Sequence, residues 1–244
     1  MDYSEKKVIV ADVDDTICDS CQQISPEMAK QIDRMIQKGY QFAFISGTKA
    51  EDLMTMISSS LKELHHILAT TGTKYIIMDK GQSQIVYNHS FNAVEKKEIL
   101  AAFEKLMSHF KIKSLTTKED QLQDRDSQIT LSAVGRHAPS EIKAKYDPDG
   151  KIRQQWLQFM KKYLGNKYDI KIAGTTSIDV TKKGLDKEWG IRNFARYHNI
   201  PLHQIIFFGD KIYPGGNDYP ATKVVDCISV KNPKDTLQRL REIF

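Results

Sequence analysis

The chain has few of the features that mark membrane, secreted or nucleic-acid-binding proteins. It has no apolar run near the roughly 18 residues that a membrane-spanning helix needs, and its first seven residues, MDYSEKK, lack the apolar segment of a signal peptide. The net charge of +5 is mild, with lysine and arginine spread among acids and no nucleic-acid motif. We therefore expect a cytoplasmic protein with no membrane or nucleic-acid partner.

Cysteine is also scarce, since only Cys18, Cys21 and Cys227 are present. Cys18 and Cys21 have the spacing of half a zinc site, but the second pair that would complete it is missing. We interpret them as two free thiols. A reversible oxidation of this pair is the alternative.

What the chain does have is an alternation of strand-like and helical segments. Its 244 residues, 40% of them hydrophobic, suffice for one large domain or two modest ones. Residues 8–13 and 40–45 are strand-like, and residues 26–38 and 50–61 are amphipathic, which predicts an α/β fold with a doubly wound parallel sheet.

The pattern changes near residue 83 to several strands with long helices, and the first pattern returns at Lys187. We predict a core formed by residues 1–82 and 185–244, into which an α+β domain of residues 83–184 is inserted.

Two acids follow the first predicted strand at positions i and i+2, Asp12 and Asp14, and Thr16 comes next. Two carboxylates so close repel each other unless a cation lies between them. A divalent ion, Mg²⁺ above all, would satisfy them and leave one Asp free to attack an electrophile. The alternative is an acidic loop without chemistry.

Two later strands also end in polar residues. Ser46 follows the second strand, where a hydroxyl and the N–H groups of a helix start can hold a phosphate oxygen. Asp210 follows the apolar residues 205–208, and a glycine-containing turn then leads to Asp218. Because open α/β sheets bind ligands at the carboxyl ends of their strands, a third acid there would complete a magnesium site.

Four motifs follow one another along the chain: Asp12-x-Asp14-x-Thr16, Ser46, the lysine of Gly184-Leu185-Asp186-Lys187, and Gly209-Asp210 followed by Asn217-Asp218. In their order and spacing they resemble the motifs of the haloacid dehalogenase superfamily, whose members transfer phosphoryl groups through an aspartyl-phosphate. Lys182 and Lys183 are alternatives to Lys187, and we interpret both as solvated surface.

The resemblance implies a role for each matched residue. Asp12 would attack phosphorus, and Asp14 would protonate the leaving oxygen and deprotonate the next attacker. Mg²⁺ would be held by the carboxylates of Asp12 and Asp210 and by the main-chain carbonyl of Asp14. The remaining residues would steady the phosphoryl oxygens (Thr16, Ser46, Lys187) or orient the surroundings of the metal (Asn217, Asp218).

A finer resemblance is to the α-phosphomannomutases of this superfamily, which carry a type IIB cap. The similar segments are residues 207–211, 214–218, 177–180 and 132–136. The resemblance implies hexose phosphates as substrates, a hexose bisphosphate as activator and a possible homodimer through the cap. It also implies that the following cap residues bind the sugar or its distal phosphate: Arg125, Arg136, Lys143, Ser177 and Asp179.

The chain departs from that family at several positions. Asp15 stands where the family has Gly, Cys21 where it has a basic residue, and Lys143 where it has a third arginine. Three functions therefore stay open: a phosphomutase that interconverts mannose 6-phosphate and mannose 1-phosphate, a sugar-phosphate phosphatase, and a non-catalytic sugar-phosphate sensor. The mutase is the preferred interpretation.

Overall fold

The structure is a computed structural model that describes residues 3–244, and the chain divides into two compact units. The core unit runs to Asn88 and resumes at Leu185, and the inserted unit spans His89–Gly184. Residues 1 and 2 of the predicted core lie outside the described residues.

A seven-stranded sheet forms the centre of the core unit, in the order β11-β10-β1-β2-β3-β4-β5. The five strands from β11 to β3 are parallel, and β4 and β5 are antiparallel, so the predicted α/β sheet is confirmed in a mixed form. The strands are β1 Val8–Ala11, β2 Gln41–Ile45, β3 His65–Leu68, β4 Lys74–Asp79, β5 Gln82–Asn88, β10 Ile205–Gly209 and β11 Asp226–Ser229.

Helices accompany this sheet: α1 Pro26–Gln37, α2 Ala50–Leu53 with a π-helical continuation at Met54–Ser58, the single turn α3 Ala69–Gly72, α8 Lys187–Tyr197 and α9 Pro233–Ile243. Short 3₁₀ turns occur at Leu202–Gln204 and Tyr219–Lys223. The helix α1 begins as its sequence predicts, because the Ser25 hydroxyl accepts the N–H of Met28 and Pro26 occupies the first turn.

The central strands are apolar on both faces. Ile9 and Phe44 belong to the hydrophobic cluster on one side of the sheet, whereas Val10 and Ile45 belong to the cluster on the other side, together with Phe194 of α8. A parallel strand with both faces covered needs such a continuous apolar run. This burial fixes where the strands end, and therefore where the polar residues after them lie.

The structure corrects the predicted start of the insertion. The residues Gln82–Asn88 form β5, which pairs antiparallel with β4 at the edge of the core sheet, so the core continues beyond the predicted residue 82. An edge strand can be polar because it is exposed, and Gln82, Ser83 and Gln84 are all exposed. Their polarity resembled a change of domain.

The inserted unit has its own four-stranded antiparallel sheet, in the order β6-β7-β9-β8. Its strands are β6 Leu122–Asp124, β7 Gln128–Ser132, β8 Tyr168–Ala173 and β9 Ser177–Lys182, and its helices are α4 Ala93–Phe110, α5 Lys118–Gln121, α6 Ser140–Tyr146 and α7 Lys151–Leu164. Ile129 and Ile178 pack with Phe103 and Trp156 of the helices. Alternate residues such as Thr130 therefore face the other side.

Among residues 3–244, no helix combines the length and the apolar character that crossing a membrane requires.

Candidate active site

The carboxyl ends of three adjacent strands bring together the first residues of the site. β1 lies between β10 and β2, and Asp12, Asp210 and Ser46 respectively follow these three strands. The N–H of Asp12 donates to the carbonyl oxygen of Phe208 at 2.9 Å, which continues the sheet pairing by one residue. Asp12 and Ser46 are both buried.

Lys187 is the cation of the site. It opens α8, whose N-terminus is capped by the Asp186 side chain, and it is 1% exposed. Its Nζ donates to Oδ1 of Asp12 and to Oδ1 of Asp218, each at 2.5 Å. Lys182, an alternative in the sequence, instead pairs with Glu95 inside the inserted unit.

The buried charges of this cluster shift one another's proton affinities. Burial raises the pKa of Asp12 to about 7, against the lowering effect of Lys187, and Asp218 adds to the rise. Burial alone would lower the pKa of Lys187, but the two neighbouring carboxylates raise that pKa above its usual range. The lysine therefore stays protonated, and a permanent positive charge lies beside Asp12.

Both carboxylate oxygens of Asp14 are held by other segments. The backbone N–H of Cys21 donates to Oδ1 at 2.9 Å, and the Thr48 hydroxyl donates to Oδ2 at 3.3 Å. Thr48 was not predicted from the sequence as a site residue. A Thr two positions after a predicted phosphate-binding Ser is the only signal that could have indicated it.

The loop after β1 is tightly wound. The carbonyl of Val13 accepts N–H groups from Thr16, Ile17 and Cys18, and Asp15 has a positive φ of 62°. The Thr16 side chain is buried, and its hydroxyl has no hydrogen-bond partner among the described residues. A buried hydroxyl without a partner suits a ligand oxygen.

The loop after β2 is held by a second strained segment. The Ser46 hydroxyl accepts the N–H of Thr48 at 3.1 Å. Thr70 and Thr71, which follow β3, both have positive φ, at 45° and 65°, which is rare for β-branched residues. In that conformation the N–H of Thr71 reaches the carbonyl of Ser46 at 2.7 Å and the N–H of Thr70 reaches that of Thr48 at 3.1 Å.

Three carboxylates could hold a metal ion, because ligand oxygens of Asp12, Asp210 and Asp218 lie within 4.8 Å of one another. Oδ1 of Asp210 is buried and has no hydrogen-bond partner in the described chain. An orphaned carboxylate oxygen in an acidic cluster fits a hard divalent cation.

The residues after β10 bring a carboxylate and an ammonium close to Asp210. Asp218 is a direct partner of Lys187, and its second oxygen accepts the backbone N–H of Lys211 at 2.9 Å. Asn217 is exposed in the preceding turn. Lys211, which was not predicted as a site residue, pairs through Nζ with Asp210.

The predicted sugar-binding residues form two groups in the inserted unit. Ser177 and Ser132 share a hydrogen bond of 3.0 Å across paired strands. Burial raises the pKa of the neighbouring Asp179, opposed by Arg125, and Oδ1 of Asp179 is unpartnered among the described residues. Arg125 also donates to Oε1 of Gln123 at 3.0 Å.

The second group consists of Arg136 and Lys143. Nζ of Lys143 donates to the carbonyl oxygen of Arg136 at 3.0 Å, so the loop after β7 and the helix α6 are tied together here. Arg136 is partly buried. No disulfide joins Cys18, Cys21 or Cys227 in the described part of the chain.

Comparison with known proteins agrees with this geometry. A family model for haloacid dehalogenase-like hydrolases matches residues 9–239. A phosphomannomutase of Schizosaccharomyces pombe is 28% identical over 254 aligned positions, which cover 98% of this chain and 95% of the relative. The IMP-bound IMP-nucleotidase of Plasmodium falciparum superimposes with a TM-score of 0.72 at 16% identity, covering 98% of this chain and 68% of that one. A haloacid dehalogenase-like hydrolase of Bacteroides thetaiotaomicron gives a TM-score of 0.68 at 13% identity, covering 98% of this chain and all of that one (100%).

Proposed function

The chain belongs to the haloacid dehalogenase-like hydrolase family, and we propose that it acts on hexose phosphates as a phosphomannomutase, interconverting mannose 6-phosphate and mannose 1-phosphate. The observation that carries the phosphoryl-transfer chemistry is the contact of Asp12 with the buried ammonium of Lys187, beside the separately held carboxylate of Asp14. The near full-length likeness to a phosphomannomutase supports the choice of substrate.

In the proposed first step, a carboxylate oxygen of Asp12 attacks the phosphorus of the donor in line and forms an aspartyl-phosphate. The bond from phosphorus to the sugar oxygen breaks, and Asp14 gives its proton to that oxygen. In the second step Asp14 takes the proton of the acceptor hydroxyl, which attacks the aspartyl-phosphate and frees Asp12. A hexose bisphosphate would supply the first phosphoryl group as an activator.

The residues around Asp12 would balance the negative charge of the transferring group. Lys187, the Ser46 loop and the unpartnered hydroxyl of Thr16 would contact the phosphoryl oxygens. Asp12 and Asp210, with the main-chain carbonyl of Asp14, would hold Mg²⁺, which when bound neutralises charge on phosphoryl oxygens. Asp218 would keep Lys187 in place rather than bind the metal, because both of its oxygens already accept hydrogen bonds.

The inserted unit would recognise the rest of the substrate. The hydroxyl pair Ser132–Ser177 and the orphaned oxygen of Asp179 suit sugar hydroxyls, and Arg125 suits a phosphate. Arg136 and Lys143 would add positive charge for the distal phosphate. The same resemblance supports a homodimer through this unit, which sedimentation would test.

A sugar-phosphate phosphatase is the second candidate, in which water resolves the aspartyl-phosphate. The observation that favours it is Lys143, whose ammonium is tied to the backbone of Arg136 and lacks the two-pronged geometry of an arginine. With a weaker hold on the distal phosphate, the sugar would dissociate from the aspartyl-phosphate enzyme before the phosphoryl group is transferred to it. A non-catalytic sensor is less well supported, because the acids and Lys187 are all present.

One assay separates these candidates. The protein is incubated with Mg²⁺, mannose 1-phosphate and a trace of hexose bisphosphate, and mannose 6-phosphate and inorganic phosphate are measured separately. Isomer without stoichiometric phosphate supports the mutase, whereas phosphate without isomer rejects it in favour of the phosphatase. An Asp12→Ala variant is the control, and full activity in it would overturn the mechanism altogether.

A further inference from the structure

Lys211 links the acids of the active site to a carboxylate outside them. Its Nζ pairs with Oδ2 of Asp210 and lies 3.8 Å from Oδ2 of Asp15. Its backbone N–H donates to Oδ2 of Asp218 at 2.9 Å, and its four-carbon side chain is flexible. One ammonium therefore contacts a carboxylate proposed to bind metal and a second carboxylate that is not part of that set.

Asp15 is an unusual residue for its position. Its φ of 62° is a left-handed conformation in which glycine is unstrained and Asp is tolerated at some cost. Its side chain is 51% exposed and is not among the three acids whose oxygens cluster. The chain thus accepts backbone strain and places a half-exposed carboxylate within reach of Lys211.

A divalent cation and this ammonium would share the same carboxylate. Asp210 offers one orphaned oxygen, Oδ1, while Oδ2 is taken by Lys211. A cation bound by Asp210 would repel an ammonium in direct contact with the same carboxylate. This repulsion favours a position of the Lys211 side chain away from Asp210, and Asp15 is already near its Nζ.

We propose that Asp15 receives the ammonium of Lys211 when a divalent cation binds Asp210, and thereby sets the affinity of the site for Mg²⁺. The inference uses the metal site of the proposed function but not its reaction, so a protein without mutase activity could still show it.

A simpler explanation is that Asp15 adds one negative charge near the site and attracts Mg²⁺ directly. The two explanations differ in their dependence on Lys211. Direct attraction persists when Lys211 is neutral, whereas a partner for Lys211 has no function once the ammonium is gone. A double-mutant cycle measures this difference.

The experiment is titration calorimetry of Mg²⁺ alone into the metal-free full chain. The variants are Asp15→Asn, Lys211→Met and the double variant, with Asp19→Asn as a control that removes an exposed charge from the same loop. Asp15→Gly, which suits the left-handed backbone, tests whether any change comes from misfolding.

We expect Asp15→Asn and Asp15→Gly to weaken Mg²⁺ binding by about five-fold, and Lys211→Met to strengthen it. In the Lys211→Met background, Asp15→Asn should change the affinity by less than about two-fold, and Asp19→Asn should have that small an effect in either background. Equal weakening with and without Lys211 would overturn the proposal in favour of direct attraction. Unchanged affinity in Asp15→Asn would overturn it as well.

Discussion

Gly72 and Gly190 touch backbone to backbone, so that a Cβ added to Gly72 would lie 2.6 Å from the Cα of Gly190. A Cβ on Gly190 would in turn meet the carbonyl oxygen of Thr71 at 2.7 Å. Gly190 is three residues after Lys187 on α8, and Thr71 holds the Ser46 loop. This contact therefore fixes how close the lysine comes to the strand ends.

We expect Gly190→Ala to destabilise the protein, although alanine is the better helix former by about 1 kcal/mol. The new methyl group must push α8 away from backbone atoms that cannot yield, and overpacking of this kind costs about 1–3 kcal/mol. Urea unfolding measures the loss, with the exposed Arg196→Ala of the same helix as the control. A variant as stable as the wild type would show that α8 can shift freely.

Lys187→Met should be far more damaging than Asp218→Asn. Without its ammonium, the buried carboxylates of Asp12 and Asp218 face each other uncompensated, which costs about 3–5 kcal/mol of stability. Turnover should fall by about 10²–10³-fold as well, because the charge beside the phosphoryl group is lost. In Asp218→Asn the lysine keeps its bond to Asp12, so we expect a smaller loss of both.

Steady-state kinetics and thermal unfolding of the two variants test this order. Lys182→Met removes a lysine that pairs with Glu95 in the inserted unit, so it should leave turnover unchanged. Equal damage from Lys187→Met and Asp218→Asn would mean that the pair acts as one structural unit.

Thr48→Val should slow reactions whose leaving group needs a proton more than reactions whose leaving group does not. The substitution keeps the shape of the side chain but removes the hydroxyl that donates to Asp14 at 3.3 Å. A sugar oxygen needs a proton to leave, so misplacing Asp14 should slow its release by about 10–100-fold. A nitrophenolate leaves without a proton, and the rapid-quench burst with a nitrophenyl phosphate should change by less than about three-fold.

The matched variant is Thr48→Ser, which keeps the hydroxyl and should restore most of the rate with the sugar phosphate. If Thr48→Val slows both leaving groups equally, the hydroxyl supports the loop and not the acid.

His66 should contribute a loss of stability as the pH falls below neutrality, opposed by Asp12, whose raised pKa favours the folded state there. Burial lowers the pKa of this residue to about 3, and His198 and His65 add to the effect. The unfolded chain has a normal histidine pKa near 6.5 and so binds a proton that the folded chain excludes between those two values. The contribution of His66 to the free energy of unfolding is therefore fully present above about pH 6.5, and it falls by about 2 kcal/mol by pH 5.

Urea unfolding at pH 7.5 and pH 5 measures the difference. His66→Gln should remove this loss of about 2 kcal/mol, while the contribution of His65, whose pKa burial also lowers, stays. The exposed His203→Gln is the control substitution. If the wild type and His66→Gln lose the same free energy of unfolding between the two pH values, His66 is protonated in the fold.

The sequence predicted the site residues at the carboxyl ends of the strands better than the site residues on other elements. Asp12, Ser46 and Asp210 follow apolar strands, and the carboxyl ends of parallel strands meet at one edge, so their proximity follows from the pattern. Lys187 lies on a helix with no such rule, and only the family resemblance pointed to it. The predicted α/β class is confirmed as well, because it was also derived from the pattern of apolar strands.

Thr48 and Lys211 were missed because their contacts depend on the directions of side chains in irregular loops. No periodicity describes the loops after β1 and β3, in which Asp15, Thr70 and Thr71 have positive φ. His65 and His66 begin β3, where both are buried. Burial of a neutral histidine depends on its tertiary partners, such as the Tyr75 hydroxyl 2.9 Å from Nδ1 of His66.

The position of β1 between β2 and β10 has a consequence for how the protein is made. Asp12 and Lys187 are 175 positions apart, and β10 comes later still. During synthesis β1 can pair with β2 early, but its other edge stays open until the last quarter of the chain leaves the ribosome. The inserted unit is continuous in sequence, so it can fold first, and the core closes afterwards through contacts of very long range. A chain that ends before β10 therefore lacks Asp210 and carries an unpaired edge on its central strand.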